Sequence, residues 1–229
     1  MNNVMARFNK KGNIKLGGMW TFSTLYGSKE YATEYGNVKG TCGKYCQGCE
    51  SLCYVGKSYR YPSVIKGHAR NTLALLNDIR ATEKALTEQI KRARVKPSVI
   101  RIHQSEEMLN RYEVAVWLNI AKEFPQITFY TYTKAFDLVK PFIDVLPQNF
   151  YINVSVWHDY GIKEFNEMKA HPNIKAFAYM DGFDYESKGL NIETTCKAYD
   201  GGKLNHNITC DKCKKCFSKR FKIIGCIEH

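Results

Sequence analysis

An α/β fold around a parallel sheet is what this sequence predicts, on three observations. Six runs of β-branched and aromatic residues are bounded by turn residues or charges, helical periodicity fills most of the gaps between them, and every run ends in polar or ligand-type residues. Strand and helix in alternation require parallel pairing through right-handed crossovers, giving either a doubly wound sheet or one curled toward a barrel. With 229 residues and 44% apolar content the chain can bury a sizeable core, and a single domain over 1–229 is expected.

The elements follow in chain order. Residues 1–18 form a polar, basic extension. "MWTFSTL" (19–25) is the first strand, and a cysteine loop occupies 41–62. "PSVIKGHARNTLALLNDIRATEKALTEQIKRAR" is the clearest helical stretch: Pro62-Ser63 supply the start signal, and Leu73, Leu76, Ile79, Leu86 and Ile90 recur at helical spacing, with a break expected near Thr82. "SVIRIH" (98–103), "ITFYTY" (127–132), "NFYINVSV" (149–156) and "IKAFAY" (174–179) are the next four strands, separated by helices in "RYEVAVWLNIAKEF", "FDLVKPFIDVL" and "GIKEFNEMKAH". "FKIIGCI" (221–227) is the sixth strand, reached through a cysteine-rich basic insertion, 183–220, instead of a clear helix.

In parallel α/β sheets chemistry collects at the C-terminal strand ends. There the sequence places the cysteine loop, "HQSEE" with Ser105, Glu106 and Glu107, "TYTK" ending in Lys134, "SVWHD" with Ser155 and His158, "YMDG" with Asp181, and finally His229. His103, which opens "HQSEE", reads as a satisfied core histidine.

The nine cysteines divide unevenly. Cys42, Cys46, Cys49 and Cys53 are spaced x3, x2, x3; Cys196, Cys210, Cys213 and Cys216 make a second group; Cys226, in an apolar run, reads as a small core residue. The N-terminus has no apolar signal region and no apolar stretch approaches membrane-spanning length, so a soluble, cytoplasmic chain with no membrane partner is expected. In a reducing compartment tight thiol clusters point to metal, not disulfides. The crowded first group suits an iron-sulfur cluster better than zinc, whereas a second [4Fe-4S] cluster and a structural zinc are both good chemistry for the other. Net charge is +12, and Lys212, Lys214, Lys215 and Lys219 lie among the second cysteines beside Phe217 and Phe221, a pattern that suits a nucleic-acid backbone.

Cys42-x3-Cys46-x2-Cys49, on a loop after a first strand, resembles the radical S-adenosylmethionine (SAM) enzymes. That resemblance implies a six-unit (β/α) partial barrel, here with the cysteine-rich insertion before the last strand. It implies a [4Fe-4S] cluster on three cysteines with one iron open to SAM, and an electron donor as partner. Ser105, Glu106 and Glu107 would then meet the SAM ammonium and Ser155 the ribose, with Lys134, His158, Asp181 and His229 toward the substrate. Gly48 stands where that family has a bulkier residue, and Cys53-Tyr54 offers another last ligand, so which three of the four cysteines bind stays open. Over almost its whole length the chain also resembles the phage "gene product eighty-eight" family, through the cysteine loop with Cys53-Tyr54, "RYPSV", "RIHQSEE", "FYTYTK", "NFYINVSVW", "KAFAYMDG" and the terminal cysteine group; a phage-encoded chain would work in the host cytoplasm. Two functions are therefore expected as alternatives: a radical-SAM-like enzyme with nucleic acid as a candidate substrate, or a non-catalytic, metal-stabilised nucleic-acid-binding protein.

Overall fold

Strand-forming runs and helical stretches alternate as their periods require. The computed structural model describes residues 4–11, 14–46, 49, 53–197, 199–200, 203–205 and 207–227. Strand β1 (Trp20–Phe22) is followed by an antiparallel hairpin, β2 (Glu30–Thr33) and β3 (Gly36–Lys39), then by helices α1 (Pro62–Asn77) and α2 (Ile79–Lys91). Next come β4 (Val99–Ile102), α3 (Arg111–Glu123), β5 (Thr128–Thr133), α4 (Phe136–Val139), β6 (Phe150–Val156), α5 (Ile162–Met168) and β7 (Ile174–Met180). The C-terminal part adds β8 (Thr194–Thr195), a small ladder of β9 (Tyr199–Asp200) with β10 (Lys203–Leu204), α6 (Cys210–Cys213) and β11 (Ile223–Ile227).

All six expected strands pair in one sheet of order β1-β4-β5-β6-β7-β11-β8, parallel throughout. The six expected strands lie in chain order, with the two-residue β8 added outside β11, so the central reversal that defines a doubly wound sheet is absent and that alternative is set aside. Among the described residues β1 and β8 are the two edges and no pairing closes the sheet into a barrel. Crossovers of one hand along such an order stack the helices on one face. That face carries Phe22, Ile100, Ile102, Phe129, Ile152, Val154 and Ile174, in one core with Leu86 and Ile90 of α2, Trp117 and Ile120 of α3, and Phe165 of α5.

Period two sends the intervening residues to the other face. Arg101 sits opposite Tyr130, Tyr130 opposite Tyr151, Tyr132 opposite Asn153, and Asn153 opposite Lys175. This face is also covered: Leu16 and Met19 from the N-terminal segment and Phe217 from the cysteine-rich segment pack on Val99, Tyr130 and Tyr151. Strands buried on both sides read as continuous runs, which is why β4 has no exposed position.

Several local expectations are corrected. The break in the long helical stretch falls at Asp78, not near Thr82, which is buried inside α2. Asp78 has extended backbone and its carboxylate accepts from Arg80 N (3.0 Å) and Ala81 N (2.9 Å), two donors the new helix leaves over. Asp78→Ala should therefore lower stability by about 1 kcal/mol in urea unfolding; an unchanged midpoint would mean that packing alone starts α2. "FDLVKPFIDVL" is only a short α4 followed by a 3₁₀ stretch, Lys140–Val145, because Pro141 has no N–H to donate. The sheet has seven strands instead of six, since the insertion over 183–220 contributes β8 to its edge. The β2–β3 hairpin, largely exposed and polar, separates β1 from the cysteine loop. No helix among the described residues is long and apolar enough to cross a membrane.

Candidate functional site

The covered second face ends in a cavity of ≈ 250 Å³ at the C-terminal strand ends, and both cysteine groups reach it. Cys49 and Cys53 of the first group line it, as do Cys196, Cys210, Cys213 and Cys216 of the second, together with Cys226.

The first group is fixed by the chain leaving β1. Thr41 N donates to Leu25 O (2.8 Å) and Cys42 N to Gly27 O (3.1 Å), while Gly27 N donates to Cys42 Sγ (3.2 Å). Cys42 is thereby buried against Tyr26 and Val55, with Cys46 and Cys53 packed partly beside it. Burial, with the nearby Glu107 carboxylate, pushes the Cys42 thiol well above its ordinary range, and burial raises Cys53 as well. Cys42 and Cys46 do not themselves line the cavity.

The segment after β4 is held by a buried charge network. His103 Nε2 lies 2.7 Å from Glu113 Oε1, its Nδ1 3.5 Å from Glu106 Oε2, and all three side chains are sealed from solvent. Burial alone would lower this imidazole, but the two carboxylates outweigh it and raise it to about 10. Glu113 also accepts from Trp117 Nε1 (3.1 Å) and Leu109 N (2.7 Å), so His103 is a satisfied and charged core residue, but one that also lines the cavity. Glu106 accepts from Gln104 N (3.1 Å) and Ser105 Oγ (3.0 Å); against the cost of burial, His103 and His68 hold it below the usual carboxylate range. Glu107 accepts from Thr133 Oγ1 (2.6 Å) and Lys134 N (2.8 Å), and burial, only partly opposed by Lys134, pushes it up. Ser105, Glu106, Glu107, Lys134 and Ser155 all line the cavity, and the Lys134 ammonium stands 6.0 Å from the Trp157 ring centroid.

The second group is assembled by long-range pairing. Cys196 follows β8, its N–H donating to Gly225 O at 2.7 Å, which sets it beside Cys226 on β11. Cys210 and Cys213 bound α6, and Lys214, at φ +57°, turns the chain toward Cys216. Asn153 Nδ2 donates to Cys216 O (3.1 Å), tying that turn to β6. Burial raises Cys210, and pushes Cys216 up to about 12. Lys15 and Arg101 bring positive charge to Cys210. Cys226, read as a core residue, is buried but also lines the cavity; its lone position in an apolar strand hid this.

Other expected residues are placed differently. Lys215 donates to Thr194 Oγ1 (2.6 Å) and Thr195 O (2.8 Å), fastening the cysteine turn to β8. Lys214 lines the cavity, whereas Lys212 and Lys219 are exposed outside its lining, so the four lysines are divided between cavity and outer surface. His158 Nε2 and Asp181 Oδ2 pair at 2.7 Å, partly exposed, and neither lines the cavity. His229 lies outside the described residues. Sequence reasoning missed Lys15, Arg101, Tyr130, Tyr132 and Cys226 in the lining; an arginine between Ile100 and Ile102 was the available signal.

Among the described residues no three Cys, His, Asp or Glu side chains stand around a point as ligands of one ion. Clustered thiols are donors of the type that iron-sulfur clusters and zinc take, and Lys15 and Arg101 bring positive charge beside Cys210. Thiols raised by burial are protonated until a metal displaces the proton.

Fold and site together define an α/β protein with an open parallel sheet, its six main strands in chain order, and a thiol-rich cavity at its C-terminal strand ends. The chain belongs to the Gene product 88 family, whose model matches residues 5–219, in agreement with the family resemblance seen in the sequence. No curated protein and no solved structure matches it.

Proposed function

We propose that this chain is an iron-sulfur enzyme of the radical-SAM type on a six-unit (β/α) core curled toward a partial barrel. The observation that carries this reading is the convergence of Cys49 and Cys53 with the whole second cysteine group on one cavity that Glu107, Lys134 and Ser155 also line. Three of Cys42, Cys46, Cys49 and Cys53 would hold a [4Fe-4S] cluster, and the second group a further cluster or zinc. Such a cluster supplies the electron for reductive cleavage of SAM. The chain's own part is to orient and enclose: Glu107, held by Thr133 and Lys134 N, is a fixed acceptor for an ammonium, and the aromatic walls exclude water. A purely structural metal site needs no cavity lined by buried carboxylates, and the non-catalytic alternative has correspondingly less support.

Anaerobically purified protein should be brown and carry about four irons per cubane bound. Replacing Cys42, Cys46 and Cys49 together by alanine should remove one cluster's share of the iron and abolish SAM binding. A colourless protein containing only zinc would overturn the proposal.

A further inference from the structure

Arg101 is 8% exposed and Tyr130 1% exposed, although both are polar and neither belongs to the helix-side core. They are direct partners across the β4–β5 ladder, on the face that floors the cavity. The guanidinium centre lies 4.7 Å from the Tyr132 ring centroid and 5.9 Å from that of Tyr130. Its Nη2 donates to Gln104 O at 2.6 Å. Yet Arg101 Nε and Tyr130 Oη are both buried without a hydrogen bond of normal geometry, even to each other, although the two side chains lie close enough to interact. A buried donor left unmade costs free energy, most of all a charged one, so a pair of them on adjacent strands calls for an acceptor.

The protein's own acids near the cavity are engaged elsewhere. Glu106 takes Gln104 N and Ser105 Oγ, and Glu107 takes Thr133 Oγ1 and Lys134 N. Lys15, Lys134, Lys214 and Lys215 line the same cavity, which makes it rich in cations. Its walls are flat and apolar: Tyr132 packs edge-on to Phe177 at 4.9 Å, and Trp157 stacks on Tyr179 at 4.5 Å. A volume of ≈ 250 Å³ admits a small molecule or one nucleotide, not a length of polymer.

The geometry points to an anion subsite made by Arg101 Nε and Tyr130 Oη, which takes the carboxylate or phosphate of a small planar ligand lying against the aromatic wall. This names the class of substrate for the function proposed above. It does not depend on a cluster being bound, so its failure would be separate from a failure of the iron measurement.

The test is calorimetric titration of the anaerobically purified chain with two matched pairs: adenosine monophosphate against adenosine, and benzoate against benzamide. In at least one pair the anion should bind about tenfold tighter than its neutral partner, and the pair that discriminates identifies phosphate or carboxylate. Tyr130→Phe removes only the hydroxyl; it should weaken the anion about fivefold, leave the neutral partner unchanged, and keep the melting temperature and iron content of the parent. If Arg101 serves only the neighbouring Cys210 sulfur, charged and neutral probes will bind alike. That result, no binding by either anion at millimolar concentration, or undiminished anion binding by Tyr130→Phe, would each overturn the subsite.

Discussion

His103→Ala should cost about 3–5 kcal/mol of folding stability, because it strands buried carboxylates that the imidazolium now neutralises. Glu106 and Glu113 have no side-chain exposure, and His103 contacts both, at 3.5 Å and 2.7 Å. The pH dependence follows from the direction of the shift. The unfolded imidazole titrates near 6.5, and the folded one is raised to about 10 by Glu113 and Glu106 against the opposing effect of burial. Its contribution is therefore fully present below about pH 6.5 and is lost as pH rises through about 10. Wild-type protein should lose stability across that alkaline window by an amount the variant lacks. Urea unfolding at several pH values measures both quantities. A deficit near pH 6.5 of under about 1 kcal/mol, the size of an ordinary neutral hydrogen bond, would show that the network is not charged as described.

The second large effect is expected at Gly40, where the chain enters the cysteine loop. A Cβ built there would stand 2.2 Å from Tyr26 O and 2.5 Å from Gly27 O, and both obstacles are backbone. No side chain can swing aside, so in Gly40→Ala the segment carrying Thr41 and Cys42 must separate from Leu25–Gly27. Thr41 N→Leu25 O, Cys42 N→Gly27 O and the Gly27 N–H donated to Cys42 Sγ are the bonds at risk. Overpacking of this kind costs about 3 kcal/mol, and displacement of Cys42 should cost the first cysteine group its iron. Thermal unfolding with iron quantification on one preparation tests both parts; a variant with parental melting temperature and iron content would remove the role assigned to this close approach.

Local signals in the sequence determined a good deal about this protein. The six strands of the sheet, the start of α1 at Pro62, and the grouping of polar residues at strand ends are all readable from period, turn residues and spacing. Those signals act over a few residues, and the chain obeys them. The break at Asp78 carries the same kind of local signal, an N-cap residue ahead of α2. Other features have no local signature. The choice between a doubly wound and a sequential order was made by which strands pair. That choice brought Arg101 beside Tyr130, Cys196 beside Cys226, and Lys215 onto β8. Because the strands are buried on both faces, their residues look alike in sequence whether they meet a helix or a cavity. Only long-range pairing, with register set across residues far apart in the chain, decided which of the two faces became the site.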